Sequence, residues 1–324
     1  MLNLSSLNPQ QRQAVETIRG PVLILAGAGT GKTRVITCRI AHMAGRGISP
    51  ANILGVTFTN KAAREMQARV TKLLPNSKFK TQNSKPPERP TICTFHSLCV
   101  RILRQHIEKV GYKRNFVIYD ESDQLGAVKK ILSAISAKGE KTDPAAVLAM
   151  LSKFKNGMCG RDAFVAQRGG DARVTHPAPR AARAHSGDGA SPPPFADENV
   201  RALAEHVRKR YESALHACNA VDFDDLILLT LRLFREHPDA LEACRARFRY
   251  VMVDEYQDTN AAQFELVHAL TKEHRNLCVV GDDDQSIYGW RGAEIANLLD
   301  MEKHFPEVKI IKLEQNYRST TTIL

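Results

Sequence analysis

Val22-Leu23-Ile24-Leu25-Ala26-Gly27-Ala28-Gly29-Thr30-Gly31-Lys32-Thr33 runs from a short β-type apolar stretch through a glycine-rich turn into the helix-like segment 33–44. This is the P-loop layout, with Ala26 where the strict pattern has its first glycine. Glycines let the backbone wrap closely, so that its N–H groups and the helix N-terminus can face phosphate oxygens. Lys32 is expected to reach the β- and γ-phosphates of a nucleotide, and the Thr33 hydroxyl to bind Mg²⁺. The plainer alternative is a glycine-rich strand-to-helix turn without a ligand.

A second apolar stretch, Tyr250-Val251-Met252-Val253, ends in Asp254-Glu255. Acids in that position are often mere helix caps. In an open α/β sheet, however, ligands bind at the carboxyl ends of the strands, where Asp254 can meet the Mg²⁺ of the P-loop. Glu255 can then orient and deprotonate an attacking water. The distance along the chain from Lys32 is too long for a simple run of βαβ units, which is consistent with an insertion.

Outward from these two anchors, short β-type runs at 53–58, 91–94, 277–280 and 309–313 alternate with helical stretches such as 62–74 and 261–270. Strands buried on both faces and interleaved with helices imply a parallel α/β sheet. Between 94 and 250 the strand signals stop. Helical spacing over 96–110, 122–137, 144–155 and 198–231 reads as a helical subdomain inserted into the α/β domain. Within it, 157–194 holds Gly169-Gly170, Pro177, Pro179, Arg180, Arg183 and Pro192-Pro193-Pro194, a composition expected to form a mobile, solvated loop. The expected organisation is therefore 1–97 and 219–311 for the sheet domain and 98–218 for the insertion.

The chain has 324 residues, 43% hydrophobic and 25% charged, which excludes a wholly disordered protein. Its formal charge of +11 points toward phosphate-rich partners. No apolar run approaches the roughly 18 residues of a membrane helix, and the first residues lack a secretory signal layout. The cysteines at 38, 93, 99, 159, 218, 244 and 278 form no C-x-x-C pair and read as inert thiols in a reducing compartment.

The block Gly281-Asp282-Asp283-Asp284-Gln285-Ser286-Ile287-Tyr288-Gly289-Trp290-Arg291-Gly292 completes the picture. It stands with Val56-Thr57-Phe58-Thr59-Asn60-Lys61, Thr94-Phe95-His96, Asp222-Phe223-Asp224-Asp225 and Gln315-Asn316-Tyr317-Arg318-Ser319. Together these motifs resemble the Rep/UvrD/PcrA-type superfamily-one DNA helicases, Rep most of all, over nearly the whole chain. The resemblance implies a RecA-like fold and a nucleotide site at Gln11, Ala26, Gly27, Ala28, Gly29, Thr30, Gly31, Lys32, Thr33, Arg34 and Tyr317. Within it Gln11 reads adenine, a task suited to a group that both donates and accepts, and Tyr317 stacks on the base. Lys32, Asp254, Glu255, Gln285 and Arg318 form the implied catalytic set, with Gln285 coupling the γ-phosphate to the DNA site. Thr33 and Asp254 hold the metal. Single-stranded DNA is implied at Phe58, Asn60, Thr94, His96, Tyr288, Trp290 and Arg291, since aromatic faces accept any base. The acids Asp222, Asp224 and Asp225 could suggest a metal site, but helix capping at the return from the insertion accounts for them.

Family members continue with a second RecA-like domain, so the resemblance implies that 312–324 begins it and that the remainder lies beyond Leu324. The expected activity is an ATP- and Mg²⁺-dependent 3′-to-5′ DNA helicase of replication or repair, acting on single strands and duplex junctions without a membrane partner. It would be cytoplasmic in a bacterium and nuclear or organellar in a eukaryote. The rivals are the motor portion of a helicase–nuclease and a module that binds ATP and DNA without unwinding.

Overall fold

The computed structural model describes residues 3–74, 88–135, 142–165, 198–282 and 301–318, with side chains up to 156 and again from 199. Two compact units emerge, one of residues 1–115 with 225–324 and one of residues 116–224.

The first unit is built on a six-stranded sheet of β1 (Val22–Ala26), β2 (Ile53–Thr57), β3 (Thr91–Thr94), β6 (Tyr250–Val253), β7 (Leu277–Gly281) and β8 (Lys309–Leu313). The spatial order is β3-β2-β6-β7-β1-β8, and every pairing is parallel. Five of these strands are almost wholly buried, which is why they read as continuous apolar runs rather than alternating ones. The outer strand β8 alternates instead, with Ile311 and Leu313 inside. Lys312 and Leu313, expected to begin a further domain, are thus the last residues of an edge strand of this sheet.

Helices α1 (Pro9–Glu16), α2 (Lys32–Gly45), α3 (Asn60–Leu73), α4 (Phe95–His106), α9 (Pro238–Arg247) and α10 (Ala261–Thr271) also belong to this unit. Val22, Ile24, Ile36, Ile40, Met252 and Val280 lie in one buried cluster. Asn8 and Gln11 form a reciprocal capping box at the start of α1, followed by Pro9 at its first turn. Arg39 of α2, 2% exposed, donates to the carbonyls of Ala14 and Ile18 and so holds the end of α1 against α2. Cys93, Cys99 and Cys244 are buried, and burial raises their thiols to about 11, about 12 and about 11, so they stay protonated and unreactive at neutral pH.

The second unit packs α5 (Glu121–Ile135), α6 (Pro144–Val165) and α7 (Glu198–Ala217) around Val128, Val147, Leu151, Val207 and Tyr211. A two-stranded parallel ladder of β4 (Val117–Ile118) and β5 (Ala220–Val221) accompanies them. Here the structure corrects three expectations. The helix that was to end at 155 continues to Val165, because Gly157 and Gly160 each cost only about 1 kcal/mol, too little to stop a propagating helix. The rest of the expected loop, 166–194, lies outside the described residues. The expected helical stretch 198–231 is broken: Asn219 takes φ 49°, the left-handed conformation that ends helices, and β5 intervenes before α8 (Phe223–Glu236). The acids at 222 and 224 do more than cap. Asp222 forms a buried 2.7 Å ion pair with Lys155 and accepts from the Tyr211 hydroxyl at 3.2 Å. Asp224 accepts from Ser152 at 2.6 Å and from Asn156 at 3.2 Å. Both acids therefore fasten α6 to the chain segment that closes this unit. No described helix is long and apolar enough to cross a membrane.

Candidate functional site

The loop after β1 has the geometry of an anion cradle. Gly29 and Gly31 adopt φ +78° and +89°, conformations that side chains disfavour. Gly31 caps α2 without any side-chain hydrogen bond, which leaves the first-turn N–H groups of that helix available to a ligand. Thr30, buried, closes the turn through its hydroxyl, which donates to the Gly27 carbonyl at 2.8 Å. Ala26 is buried, while Gly27 and Ala28 face solvent. Lys32 and Thr33 occupy the first two positions of α2, and Arg34 turns outward to donate to the Ser6 hydroxyl at 2.8 Å.

Segment 315–318 lies directly on this loop. The Tyr317 amide donates to the Gly29 carbonyl at 2.9 Å, and the Asn316 carboxamide donates to the Ala28 carbonyl at 2.9 Å. A Cβ on residue 29 would stand 2.6 Å from Asn316 Oδ1 and 2.7 Å from Arg318 Cβ. Gly29→Ala combines that clash with a strained φ. It should cost about 2 kcal/mol, read as a lower urea midpoint with faster amide exchange over 315–318; a wild-type melt would count against this packing.

At the other end of the loop, Gln11 is 2% exposed. Its carboxamide donates to the Thr30 carbonyl at 2.9 Å and accepts from the Asn8 amide at 3.2 Å. The Asn8 carboxamide in turn donates to the half-exposed Tyr317 hydroxyl at 2.9 Å. Gln11, Tyr317 and Arg318, far apart in sequence, are therefore gathered around one loop.

The acids approach from β6 and β7. Asp254, 5% exposed, donates its amide to the Val56 carbonyl and accepts the Glu255 amide at 3.1 Å. Burial first, and the neighbouring Glu255 charge second, raise its carboxyl to about 7. Glu255 itself sits at φ 52°, a left-handed conformation that glutamate rarely adopts and that turns its carboxylate toward the loop. Lys32 Nζ lies 3.7 Å from Glu255 Oε2 and 3.1 Å from Asp282 Oδ2. Gln257, 2% exposed, donates to Glu255 Oε2 at 2.9 Å and accepts the Asp282 amide at 3.1 Å. Asp258 is raised to about 6 by burial and by Glu255, and one of its buried oxygens has no hydrogen-bond partner.

These residues fit a divalent cation. A buried and a half-buried carboxyl raised toward neutrality, the second with an unpartnered oxygen, are groups that an adjacent positive charge would return to the ionised state. Among the described residues no cluster of three or more His, Cys, Asp or Glu could hold a metal by itself. One or two protein ligands completed by phosphate and water is how magnesium is bound beside a nucleotide.

Phe58 and Asn60 follow the carboxyl end of β2, and at the same edge of the sheet Thr94 ends its neighbour β3 and His96 follows it. Phe58 is half-buried and meets Phe95 edge-on, with ring centroids 5.5 Å apart. Asn60 is exposed at the start of α3, and Thr94 caps α4 by accepting from the Ser97 amide. Gln285, Tyr288, Trp290 and Arg291 lie outside the described residues. Sequence reasoning passed over Asp282, Gln257, Asn8 and Asn316. Asp282 carried a usable signal, since it ends an apolar strand just as Asp254 does; the other three had none.

A family model described as the UvrD/REP helicase N-terminal domain matches residues 7–306. The chain is 44% identical over 322 residues to the ATP-dependent DNA helicase PcrA of Bacillus subtilis. It is 43% identical over 322 residues to PcrA of Staphylococcus aureus and 42% to that of Staphylococcus epidermidis. In each case 99% of this chain is covered and 39% of the relative, so the chain spans well under half the length of these proteins. They carry the PcrA name, where the motifs alone pointed toward Rep.

Proposed function

The chain belongs to the UvrD/REP helicase family, and on that premise we propose that it binds ATP with magnesium on the P-loop and couples hydrolysis to 3′-to-5′ movement along single-stranded DNA and to duplex unwinding. One observation carries the reading: Lys32 from the loop and Glu255 from the end of β6 meet at 3.7 Å, although more than two hundred residues separate them. A cation that draws phosphate oxygens and a carboxylate that can take a proton from water are thereby brought to one place.

In this reading the loop amides and the N-terminus of α2 hold the phosphates, and Lys32 neutralises their charge. Thr33 and Asp254 hold the magnesium, which when bound offsets charge on the phosphate oxygens. Glu255 orients the attacking water and accepts its proton. Gln285 and Arg318 contact the γ-phosphate, the arginine stabilising charge that develops during transfer. Gln11 reads the adenine and Tyr317 stacks on it. Phe58, Asn60, Thr94, His96, Tyr288, Trp290 and Arg291 hold the single strand. The bacterial source of the relatives supports a place in the cytoplasm.

Removing one stacking platform tests the DNA half of this reading. Trp290→Ala should weaken single-stranded DNA binding by about 1–3 kcal/mol, measured by fluorescence anisotropy on an oligonucleotide, with ATP affinity preserved. An unchanged DNA affinity would remove Trp290 from the track. Strand displacement by the 324-residue chain separates a motor from a module that only binds ATP and DNA.

A further inference from the structure

Lys32, Asp282, Gln257 and Glu255 close a ring. The lysine Nζ stands 3.1 Å from Asp282 Oδ2, the Asp282 amide donates to Gln257 at 3.1 Å, Gln257 donates to Glu255 at 2.9 Å, and Glu255 returns to the lysine at 3.7 Å. Glu255 is 40% exposed, but the Asp282 side chain is only 1% exposed and Lys32 11%. The shorter contact, to the acid least accessible to water, is therefore the dominant hold on the lysine. A phosphate arriving at Lys32 would bring negative oxygens up to a buried carboxylate that solvent cannot screen.

We infer that Asp282 is a placeholder counter-ion: it keeps Lys32 extended toward the phosphate position while no nucleotide is bound, and the nucleotide must displace it to bind. Asp282 is thus a positioning residue that sets nucleotide affinity, and it opposes the nucleotide rather than helping to hold it. Gln257 links the exchange to Glu255, because it bonds the Asp282 backbone with one end of its carboxamide and the Glu255 carboxylate with the other. When Lys32 leaves the ring, Glu255 keeps Gln257 as its orienting partner and loses the competing lysine. The inference rests on the reading that Lys32 receives phosphate.

The test is ATP affinity of the 324-residue chain by calorimetry, measured both with magnesium and in excess EDTA. Asp282→Asn keeps the shape and removes the charge. Both the attraction to be broken and the repulsion to be overcome disappear, so ATP should bind about five- to tenfold more tightly under both conditions. A side chain that merely supported the fold, or one that helped hold the cation, would give the opposite sign or no change. Affinity unchanged within about twofold, or weakened, overturns the inference. In a Lys32→Ala background the share that comes from breaking the ion pair is gone and only the direct repulsion remains, so the tightening should shrink to about twofold or less, and a full five- to tenfold tightening there is equally fatal. If Lys32→Ala by itself leaves ATP affinity unaltered, the phosphate reading of the site fails, which is a separate outcome. Should the asparagine variant lack a cooperative melt, Asp282→Ser supplies the same neutral comparison.

Discussion

Lys32→Ala should lower ATP turnover by roughly 10²–10³-fold while single-stranded DNA affinity stays within about twofold. The lysine is the side-chain cation that reaches both acids at the end of the loop, 3.7 Å from Glu255 and 3.1 Å from Asp282, where charge on the phosphates would be met. Stability should move as well. Truncation leaves the Asp282 carboxylate, 1% exposed, without the ammonium that stands 3.1 Å from it. Loss of the ammonium opposite a carboxylate at such depth costs about 2–3 kcal/mol, which urea melts would register, and Asp282→Asn in the same chain should restore most of it. Unchanged hydrolysis would overturn the phosphate assignment. Unchanged stability would show the pair to be weak whatever the lysine does for the nucleotide.

Asp254→Asn is expected to separate activity from stability. Turnover should fall by roughly 10²–10³-fold, because a neutral carboxamide cannot hold a divalent cation as a carboxylate does. The fold, measured without divalent cations, should become more stable in alkaline buffer. The folded carboxyl titrates at about 7 rather than at its ordinary 3.8, so the native state favours the protonated form. Its contribution is complete below pH 4 and is lost as pH rises through 7. Three units correspond to about 4 kcal/mol as a ceiling; relaxation and water entry reduce the expected gain of the variant at pH 8 to about 2 kcal/mol. Asp258, raised to about 6, adds pH dependence of the same sign but is present in both proteins and cancels in the difference. Urea melts at pH 5 and pH 8 provide the measurement. A wild-type-minus-variant difference that does not change with pH would show that Asp254 is not held in a charge-averse setting.

Much of the site could be read along the chain because its parts are terminations of local elements. A glycine turn between an apolar strand and a helix announces a phosphate cradle, and an apolar strand ending in acids announces a carboxyl edge. The same rule, applied once more to 277–282, would have found Asp282. Gln257 was out of reach. Its role arises from a single turn of 3₁₀ helix, Tyr256–Asp258, that folds its side chain back onto Glu255, and from β7 lying beside β6. Neither fact leaves a pattern in composition or spacing. The break between α7 and β5 was equally hidden, because it depends on one asparagine accepting a left-handed backbone inside a stretch that otherwise keeps helical periodicity.

By itself the amino-acid order determined the elements and their chemistry: buried strands, the loop glycines, the acids that follow β6, and an α/β sheet interrupted by helices. Those properties are local, set by backbone sterics and by which residues tolerate burial. The order β3-β2-β6-β7-β1-β8 was decided only in three dimensions. That order sets β7 between β1 and β6, and with it the carboxylate that holds Lys32, because strand adjacency follows from how the faces of the whole sheet are covered and not from the sequence of any one strand.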